Sequence, residues 1–383
     1  MAEAFKNLIN HATVAHAGDH LQRAWPAFDR AEFSRIAGHQ LEALEFKARA
    51  MQLADALEAT LPADFSAAAA TLENALAPPL GFDEKGEPQG LGNALGAQGL
   101  SGWALWGAGE FVARQGMGDV PRALACLRAL TQRFTAEFAI RPFIAQHPAT
   151  VFPILERWAE DPSPHVRRLA SEGSRPRLPW GLRLQQLVAD PSPTQALLKA
   201  LQDDPSAYVR RSVANHLNDI AKDHPDRVAQ WVTTHLQQAS PARTALLRHA
   251  SRSLVKQGHA ATLRAWGLGE AFAGTALFTL DATEAAIGEG VALQVSLQST
   301  HTQPQALVID YVVHHVRANG STSPKVFKGW KLTLDAHAMR TLGKRHSLRP
   351  VSTRQLYPGR HRIDLQINGA VCASAWFDLA AEG

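Results

Sequence analysis

The spacing of hydrophobic residues changes once along this chain of 383 residues. Over residues 1–274 apolar positions mostly recur at intervals of three and four, which is typical of amphipathic helices. From about residue 275 they alternate with polar positions, which is typical of half-buried strands. We therefore predict a mainly α protein, with a helical domain over 1–274 followed by a β domain over 275–383. Clear examples are Leu41, Leu44, Ala48, Met51, Ala54 and Leu57 for the helices, and Val291, Leu293, Val295 and Leu297 for the strands.

The helical region contains a duplicated signature. Residues 161–168 read DPSPHVRR, and residues 204–211 read DPSAYVRR. A period of about 40 residues, with a Pro-Ser turn that opens a helix, is typical of HEAT-like α-solenoids. Residues 144–148 and 220–225 echo each other, and 240–256 resembles a degraded repeat. We therefore predict a HEAT-like α-solenoid whose recurring arginines line one surface.

Two other segments are set apart by their turn residues. The Gly- and Pro-rich stretch 77–102 predicts a long loop, and its glycines at 90, 92 and 96 lack the spacing of a phosphate-binding loop. In the β region, Asn368-Gly369 joins two alternating runs and predicts a type I′ hairpin. Five or more short strands within residues 275–383 fit an immunoglobulin-like β-sandwich.

The basic charge of the chain begins where the repeats begin. Residues 1–130 carry 10 Lys and Arg against 15 Asp and Glu, residues 131–274 carry 18 against 12, and residues 275–383 carry 11 against 8. Such an excess fits a phosphate-binding surface, but it also fits an ordinary solvated face. With no long apolar run, no signal pattern and two distant cysteines, we expect a monomeric cytoplasmic protein with no membrane contact, metal or cofactor.

One predicted helix, residues 206–222, carries an acid within a basic face. Its buried stripe comprises Val209, Val213, Leu217 and Ile220. A second stripe comprises Tyr208, Arg211, Asn215, Asp219 and Lys222. A carboxylate there would repel DNA phosphates unless it met a positive charge. Asp219 therefore either pairs with Lys222 or caps a neighbouring helix, or it has a chemical role, and the spacing alone leaves both interpretations open.

A second acid lies at residue 137. Arg133, Glu137 and Arg141 are spaced by four, which favours a plain ion-pair ladder on a helix surface. Pro142 should kink or end that helix, and such a kink would turn Glu137 toward a cleft.

The segment 171–180, SEGSRPRLPW, is predicted to be a shaped loop because it contains two prolines and a glycine. Arg175 and Arg177 on such a loop suit phosphate contacts. Trp180 either anchors the loop in the core or is exposed, in which case its indole would stack on a base or face a cation.

Three segments together resemble a known family. Residues 134–143, 171–180 and 212–219 are similar to the HEAT-like repeat DNA glycosylases of alkylation repair, and the immunoglobulin-like C-terminal region resembles the AlkC branch rather than AlkD. The resemblance implies that Asp219 is the catalytic carboxylate, that Glu137 is a second acid of the same cleft, and that Trp180 is an aromatic wall beside the lesion. From the charge pattern we add phosphate contacts, predicted for Arg168, Arg175, Arg177, Arg211, Arg141 and Lys222.

The implied function is a monofunctional DNA glycosylase. It would hydrolyse the N-glycosidic bond of cationic N3-methylated bases in duplex DNA, chiefly 3-methyladenine with 3-methylcytosine as a further candidate, and leave an abasic site. The family implies access to the sugar through bent DNA, without a deep base pocket. The alternative is a non-catalytic HEAT-repeat scaffold that binds protein or nucleic acid, which the acids at 137 and 219 in a basic region disfavour.

The β domain has a basic segment of its own, comprising Lys344, Arg345, His346, Arg349, Arg354, Arg360 and Arg362. It either grips the duplex beside the lesion or forms a solvated edge that deters strand pairing. Removal of residues 275–383 without a change in DNA affinity would exclude the first interpretation.

Overall fold

The computed structural model describes residues 5–90, 98–268, 270–351 and 355–380. Helices come first and strands follow, as predicted. The α-helices are α1 His11–Ala24, α2 Arg30–Ala37, α3 Phe46–Thr60, α4 Phe65–Ala75, α5 Ala104–Gln115, α6 Val120–Leu130, α7 Arg141–Gln146, α8 Pro148–Trp158, α9 Pro164–Gly173, α10 Gln185–Ala189, α11 Gln195–Leu201, α12 Ala207–Ile220, α13 Pro225–Leu236, α14 Pro241–Ala250, α15 Arg252–Gln257 and α16 Ala260–Ala265. Among the helices of the described ranges, none is long and apolar enough to cross a membrane.

The chain divides into two compact units, the first comprising residues 1–223 and 240–250. In this unit α3 packs against α2 and α5, and α12 packs between α9 and α14. These stacked helix contacts bury the apolar stripes and give the HEAT-like arrangement that the repeats predict. The predicted stripe of α12 is fully buried at Val209 and Val213, which confirms the helical periodicity.

Each copy of the signature begins its helix with an aspartate. Asp161 Oδ1 accepts a hydrogen bond from the backbone N–H of Ser163, and Asp204 Oδ1 accepts one from that of Ser206, each at 2.8 Å. These Asx turns set the chain direction ahead of α9 and α12. The predicted Pro-Ser turn is present, but the aspartate rather than the serine side chain organises it.

The same aspartates link successive repeats. Arg128 Nε lies 2.6 Å from Asp161 Oδ2, and Arg167 Nε lies 2.6 Å from Asp204 Oδ2. Arg167 also donates to the carbonyl oxygen of Asp161 at 2.8 Å, so it spans its own turn and the next one. In the second copy Arg210 donates to the carbonyl oxygens of Asp204 and Pro205. The first arginine of each paired-arginine signature, Arg167 or Arg210, therefore holds the turn ahead of its own helix.

The second unit comprises residues 224–239 and 251–383. Its strands are β1 Gly274–Leu280, β2 Glu284–Ala285, β3 Gly290–Ser299, β4 Gln305–Val316, β5 Thr322–Leu334, β6 Met339–Ser347, β7 Gly359–Ile367 and β8 Ala370–Leu379. One sheet has the order β1-β3-β6 and the other β2-β8-β7-β4-β5, antiparallel except for the β2–β8 pair. The sheets enclose a core that includes Val291, Leu293, Ile363 and Phe377, which confirms the predicted β-sandwich.

The predicted hairpin is present. Asn368 and Gly369 have φ of 47° and 82°, and Ile367 pairs directly with Ala370, as a two-residue type I′ turn requires. The first strand begins at Gly274, but the compact unit around it also includes the helices α13, α15 and α16. The predicted domain boundary at residue 275 stays a prediction.

Candidate active site

Three carboxylates and two arginines meet where α9, the loop after it and α12 come together. Arg175 Nε lies 2.8 Å from Asp219 Oδ2, and Arg175 Nη1 lies 2.6 Å from Glu172 Oε1. The other oxygen of Asp219 accepts a hydrogen bond from Lys222 Nζ at 2.8 Å. The Asp219 side chain is only 2% exposed, whereas that of Lys222 is 47% exposed. A partly exposed ammonium therefore covers one oxygen of a buried, arginine-held carboxylate.

Arg168 extends this cluster to the third acid. Its Nη1 lies 2.5 Å from Glu137 Oε2, and its Nη2 lies 3.5 Å from Glu172. Thr135 Oγ1 donates to Glu137 at 2.7 Å and accepts from Arg168 at 2.8 Å, which fixes the acid against the arginine. We call this set the acid network, comprising Glu137, Arg168, Glu172, Arg175, Asp219 and Lys222. Its three negative and three positive charges alternate in space.

Burial and pairing act in opposite directions on the acid at the centre of the network. Burial raises the pKa of Glu172, but Arg168, Arg175 and a 2.6 Å hydrogen bond from Ser212 Oγ outweigh it and leave the pKa below its ordinary value. Burial lowers the pKa of both arginines, and their carboxylate partners reverse that shift. Glu172 is therefore an anion between two cations, which suits stabilisation of positive charge better than donation of a proton.

The loop after α9 projects a tryptophan into solvent. Trp180 is 72% exposed, and its φ of 63° lies in the left-handed region that residues other than glycine rarely adopt. An open groove of about 450 Å³ beside it is lined by residues that include Arg177 and Arg183. The interpretation of Trp180 as a core anchor is thus wrong, because the side chain is exposed, and its stacking on a base or a cation stays a prediction. Arg177 Nε binds Asp223 at 2.6 Å on the same side of the loop.

Arg141 contradicts the prediction of a phosphate contact. Its side chain is fully buried. Nε donates to the carbonyl oxygen of Leu182 at 2.5 Å, and Nη1 donates to that of Gly173 at 2.7 Å. Burial and the repulsion from Arg175 lower its pKa to about 10. DNA cannot reach this guanidinium in the present arrangement. Arg141 instead ties the C-terminus of α9 to the loop that carries Trp180.

The predicted ion-pair ladder on a helix is also wrong. Residues 131–140 form turns, and α7 begins at Arg141 with Pro142 in its first turn. Proline is favoured at that position because its missing N–H has no partner there in any helix. Arg133 donates to the carbonyl oxygen of Ala77 at 2.6 Å, and Glu137 pairs with Arg168 instead of with its neighbours in sequence.

Two family models and a curated protein are similar to this chain. A family model described as DNA alkylation repair enzyme matches residues 134–254, and one described as the C-terminal Ig-like domain of the uncharacterised protein YhaZ matches residues 275–381. The uncharacterized protein YhaZ of Bacillus subtilis is 32% identical over 379 residues, covering 98% of this chain and 99% of that protein.

A solved structure decides the family. It is the Pseudomonas fluorescens alkylpurine DNA glycosylase AlkC, bound to DNA containing an abasic site analog. Its TM-score is 0.87 at 34% identity, over 99% of this chain and 100% of that one. This chain belongs to the AlkC family of DNA alkylation repair enzymes. The Ig-like β-sandwich and the helical repeats are therefore the shared architecture of AlkC relatives.

In this AlkC-family chain, sequence analysis missed Glu172 as a site residue although the residue lies within a quoted motif. The signal was present in the spacing, because Glu172 follows Arg168 by four positions and precedes Arg175 by three. Sequence analysis placed Tyr208 on the same helix stripe as Arg211 but predicted no contact for it. The centroid of its buried ring lies 5.5 Å from Arg168 Cζ and 5.8 Å from Arg211 Cζ.

The basic segment of the Ig-like domain is less uniform than its sequence. His346 is buried and contacts Tyr311 across 3.2 Å, and Arg362 Nε pairs with Asp364 at 3.0 Å. Arg345 and Arg349 are exposed, whereas Arg354 lies outside the described residues. The duplex-gripping role of this segment stays a prediction.

Proposed function

We propose that this AlkC-family protein is a monofunctional DNA glycosylase that hydrolyses the N-glycosidic bond of cationic N3-methylated bases in duplex DNA. The preferred substrate is 3-methyladenine, with 3-methylcytosine as the second candidate, and the product is an abasic site. The observation that carries the proposal is the buried Asp219 carboxylate, held by Arg175 on one oxygen and covered by the exposed Lys222 on the other.

The chemistry needs an anion rather than an acid. Methylation at N3 gives the base a positive charge, which weakens its bond to the sugar, and the departing base needs no added proton. As in glycoside hydrolysis, the transition state resembles an oxocarbenium ion. A preorganised carboxylate can stabilise that sugar cation and orient the attacking water. Asp219 has this role in our proposal, with Glu137 as a second acid.

Lys222 and the exposed arginines supply the DNA contacts in this scheme. When DNA binds, the Lys222 ammonium exchanges Asp219 for a phosphate, which uncovers Oδ1 for the sugar or the water. Arg177 and Arg211 are partly exposed and suit phosphate contacts. Arg168 and Arg175 act mainly by holding the acids, because their guanidinium groups are nearly enclosed.

Trp180 provides the wall for the lesion. Its indole face is exposed beside the groove, where it can meet the cationic base through a cation–π contact of roughly 0.5–2 kcal/mol. Such a wall requires no deep base pocket. It favours positively charged lesions, which leave easily, over neutral ones.

The deciding experiment measures release of free methylated bases from methylated duplex DNA. We expect the wild type to release 3-methyladenine and Asp219→Asn to be slower by about 100-fold or more, the loss typical of a charge-stabilising group. Asp203→Asn is the matched control, because that acid pairs with Arg243 at the surface and should leave the rate unchanged. Circular dichroism and DNA binding verify that each variant is folded.

Two outcomes would contradict the proposal. Absence of base release by the folded wild type would favour the non-catalytic scaffold. Borohydride trapping of the protein on an abasic duplex would show a Schiff base, for which Lys222 is the nearest amine to Asp219, and would exclude the monofunctional mechanism.

A further inference from the structure

A short loop ahead of α5 has a well-defined fold of its own. Asp83 organises it: its Oδ1 accepts the backbone N–H of Lys85 at 2.9 Å and of Glu87 at 2.8 Å, and its own N–H donates to the carbonyl of Glu87 at 2.9 Å. Gln89 N–H donates to Gly81 O at 2.9 Å, which closes the hairpin. We call residues 80–90 the clamp loop.

The clamp loop is docked on the helices that carry the duplicated signature. Phe82 stacks on His165 of α9 with ring centroids 4.7 Å apart, and it lies 6.3 Å from Tyr208 of α12. His165 Nε2 donates to the carbonyl oxygen of Leu80 at 3.1 Å, and Leu80 N–H donates to Gln132 O at 2.9 Å. The loop therefore sits against equivalent positions of both repeats.

This docking brings one carboxylate onto Arg211. Glu87 Oε1 lies 2.5 Å from Arg211 Nη1, and Oε2 lies 2.6 Å from Nη2, so the two groups meet fork to fork. Both side chains remain partly exposed, at 39% and 45%. A carboxylate and a phosphate accept the same guanidinium fork, and a solvated pair exchanges partners readily.

The position of Arg211 gives this contact its consequence. Arg211 lies over the same Tyr208 ring as Arg168, which belongs to the acid network. A phosphate bound at Arg211 would therefore lie close to the ring that Arg168, the partner of Glu137, also contacts. Any group that occupies Arg211 competes with the strand that must reach the acids.

We propose that Glu87 stands in for a DNA phosphate on Arg211 and must be displaced when the duplex binds. It thereby sets the affinity for DNA of any sequence, damaged or intact. The inference rests on the duplex-DNA partner of the proposed function, but not on base release.

The test measures binding of an undamaged duplex by fluorescence anisotropy at fixed salt. Glu87→Gln removes the competing charge but retains the shape of the side chain. Glu84→Gln is the matched control. Glu84 is an exposed acid of the same loop with no ion pair among the described residues, and its substitution removes the same charge. We expect Glu87→Gln to bind about 3- to 5-fold more tightly than Glu84→Gln, the range of one exposed ion pair.

A second background identifies the mechanism. With Arg211→Gln already present, Glu87→Gln should bind no more tightly than Glu84→Gln, because no fork remains to be released. Equal affinities of Glu87→Gln and Glu84→Gln in the wild-type background would overturn the inference. Tryptic cleavage at Lys85 reports the integrity of the loop: if Glu87→Gln bound more tightly and this cleavage also rose sharply, loop opening would replace the phosphate stand-in as the cause.

The experiment is separable from base release. Tighter binding by Glu87→Gln without base release by the wild type would support the inference and remove the glycosylase proposal. Base release by the wild type with equal binding of the two loop variants would do the reverse.

Discussion

The two copies of the duplicated signature have the same fold and different chemistry. In the first copy Arg168 is followed four residues later by Glu172, and in the second Arg211 is followed by Asn215. Arg168 consequently lies between two acids, Glu137 and Glu172, whereas Asn215 accepts a hydrogen bond from His249 at 2.8 Å and offers Arg211 no charge. With Glu172 four residues after it, Arg168 is part of the acid network. With Asn215 at that place, Arg211 remains exposed to a partner.

The two copies share their packing and differ in charge, with Glu172 against Asn215 and Pro176 against Asp219. The turn aspartates, the first arginines and the buried stripes are shared, so both helices sit in the same way. The first copy then supplies part of the acid network, and the second presents both Asp219 and an accessible guanidinium. A repeat can therefore keep its packing while its charged positions change.

The largest expected difference between the copies is in stability. Arg168→Gln should lower the free energy of unfolding by about 3–5 kcal/mol, because the largely enclosed Glu137 would lose its counter-charge and the buried Glu172 would keep only Arg175. Arg211→Gln should cost less than about 1 kcal/mol, because Glu87 is solvated. Urea unfolding of both variants measures the two losses in free energy of unfolding. Equal losses would show that Arg168 stabilises the fold no more than the exposed Arg211–Glu87 pair does.

The second difference concerns pH. Burial lowers the pKa of His216, which occupies the position of Gly173 in the first copy, to about 4 from an ordinary value of 6.5. Because the folded state keeps this imidazole neutral, its contribution is complete above pH 6.5 and is lost as the pH falls toward 4. The loss amounts to about 3 kcal/mol.

His216→Asn isolates this effect. The amide can still donate to Ser171 O, which now lies 2.9 Å from Nδ1, but it does not titrate. Between pH 7 and pH 4 the melting temperature should therefore fall less for the variant than for the wild type. Parallel curves would mean that His216 does not contribute to the acid sensitivity.

The smallest effect tests the comparison directly. Asn215→Glu rebuilds the first copy within the second, and its carboxylate should compete with a phosphate for Arg211 in the way that Glu87 does. We expect DNA affinity to fall about 2- to 5-fold, as for one surface ion pair. Asn215→Gln, which keeps the position neutral, is the control, and an equal effect of both variants in anisotropy would assign the change to packing rather than charge.

Local features of the fold were predictable from the sequence because local forces determine them. The stripe at Val209 and Val213, the strands around Val291 and the Asn368-Gly369 hairpin follow from periodicity and turn chemistry. The Pro142 prediction failed because proline both breaks a helix and begins one, and the local sequence does not say which.

The candidate site was predictable only in part. The motifs indicated Asp219, Glu137 and Trp180, but the contact that joins Glu137 to Arg168 spans 31 positions, beyond the reach of helical spacing. The burial of Arg141 was likewise not predictable, because its partners are backbone carbonyls 32 and 41 positions along the chain, at the end of α9 and in the loop after it. An arginine count measures charge, and it does not distinguish a phosphate ligand from a structural cross-link.

The linked aspartates of the solenoid have a consequence for its modularity. Asp161 and Asp204 each begin one helix and also bind the arginine of the repeat before, Arg128 and Arg167 respectively. A repeat transplanted from another solenoid would bring its own turn but not the matching arginine of the preceding repeat. Each boundary would then keep the turn and lose the Asp–Arg ion pair. The structural unit of this scaffold is therefore the junction between two repeats rather than the single repeat, and a working chimera would have to take both partners of each Asp–Arg pair from the same parent.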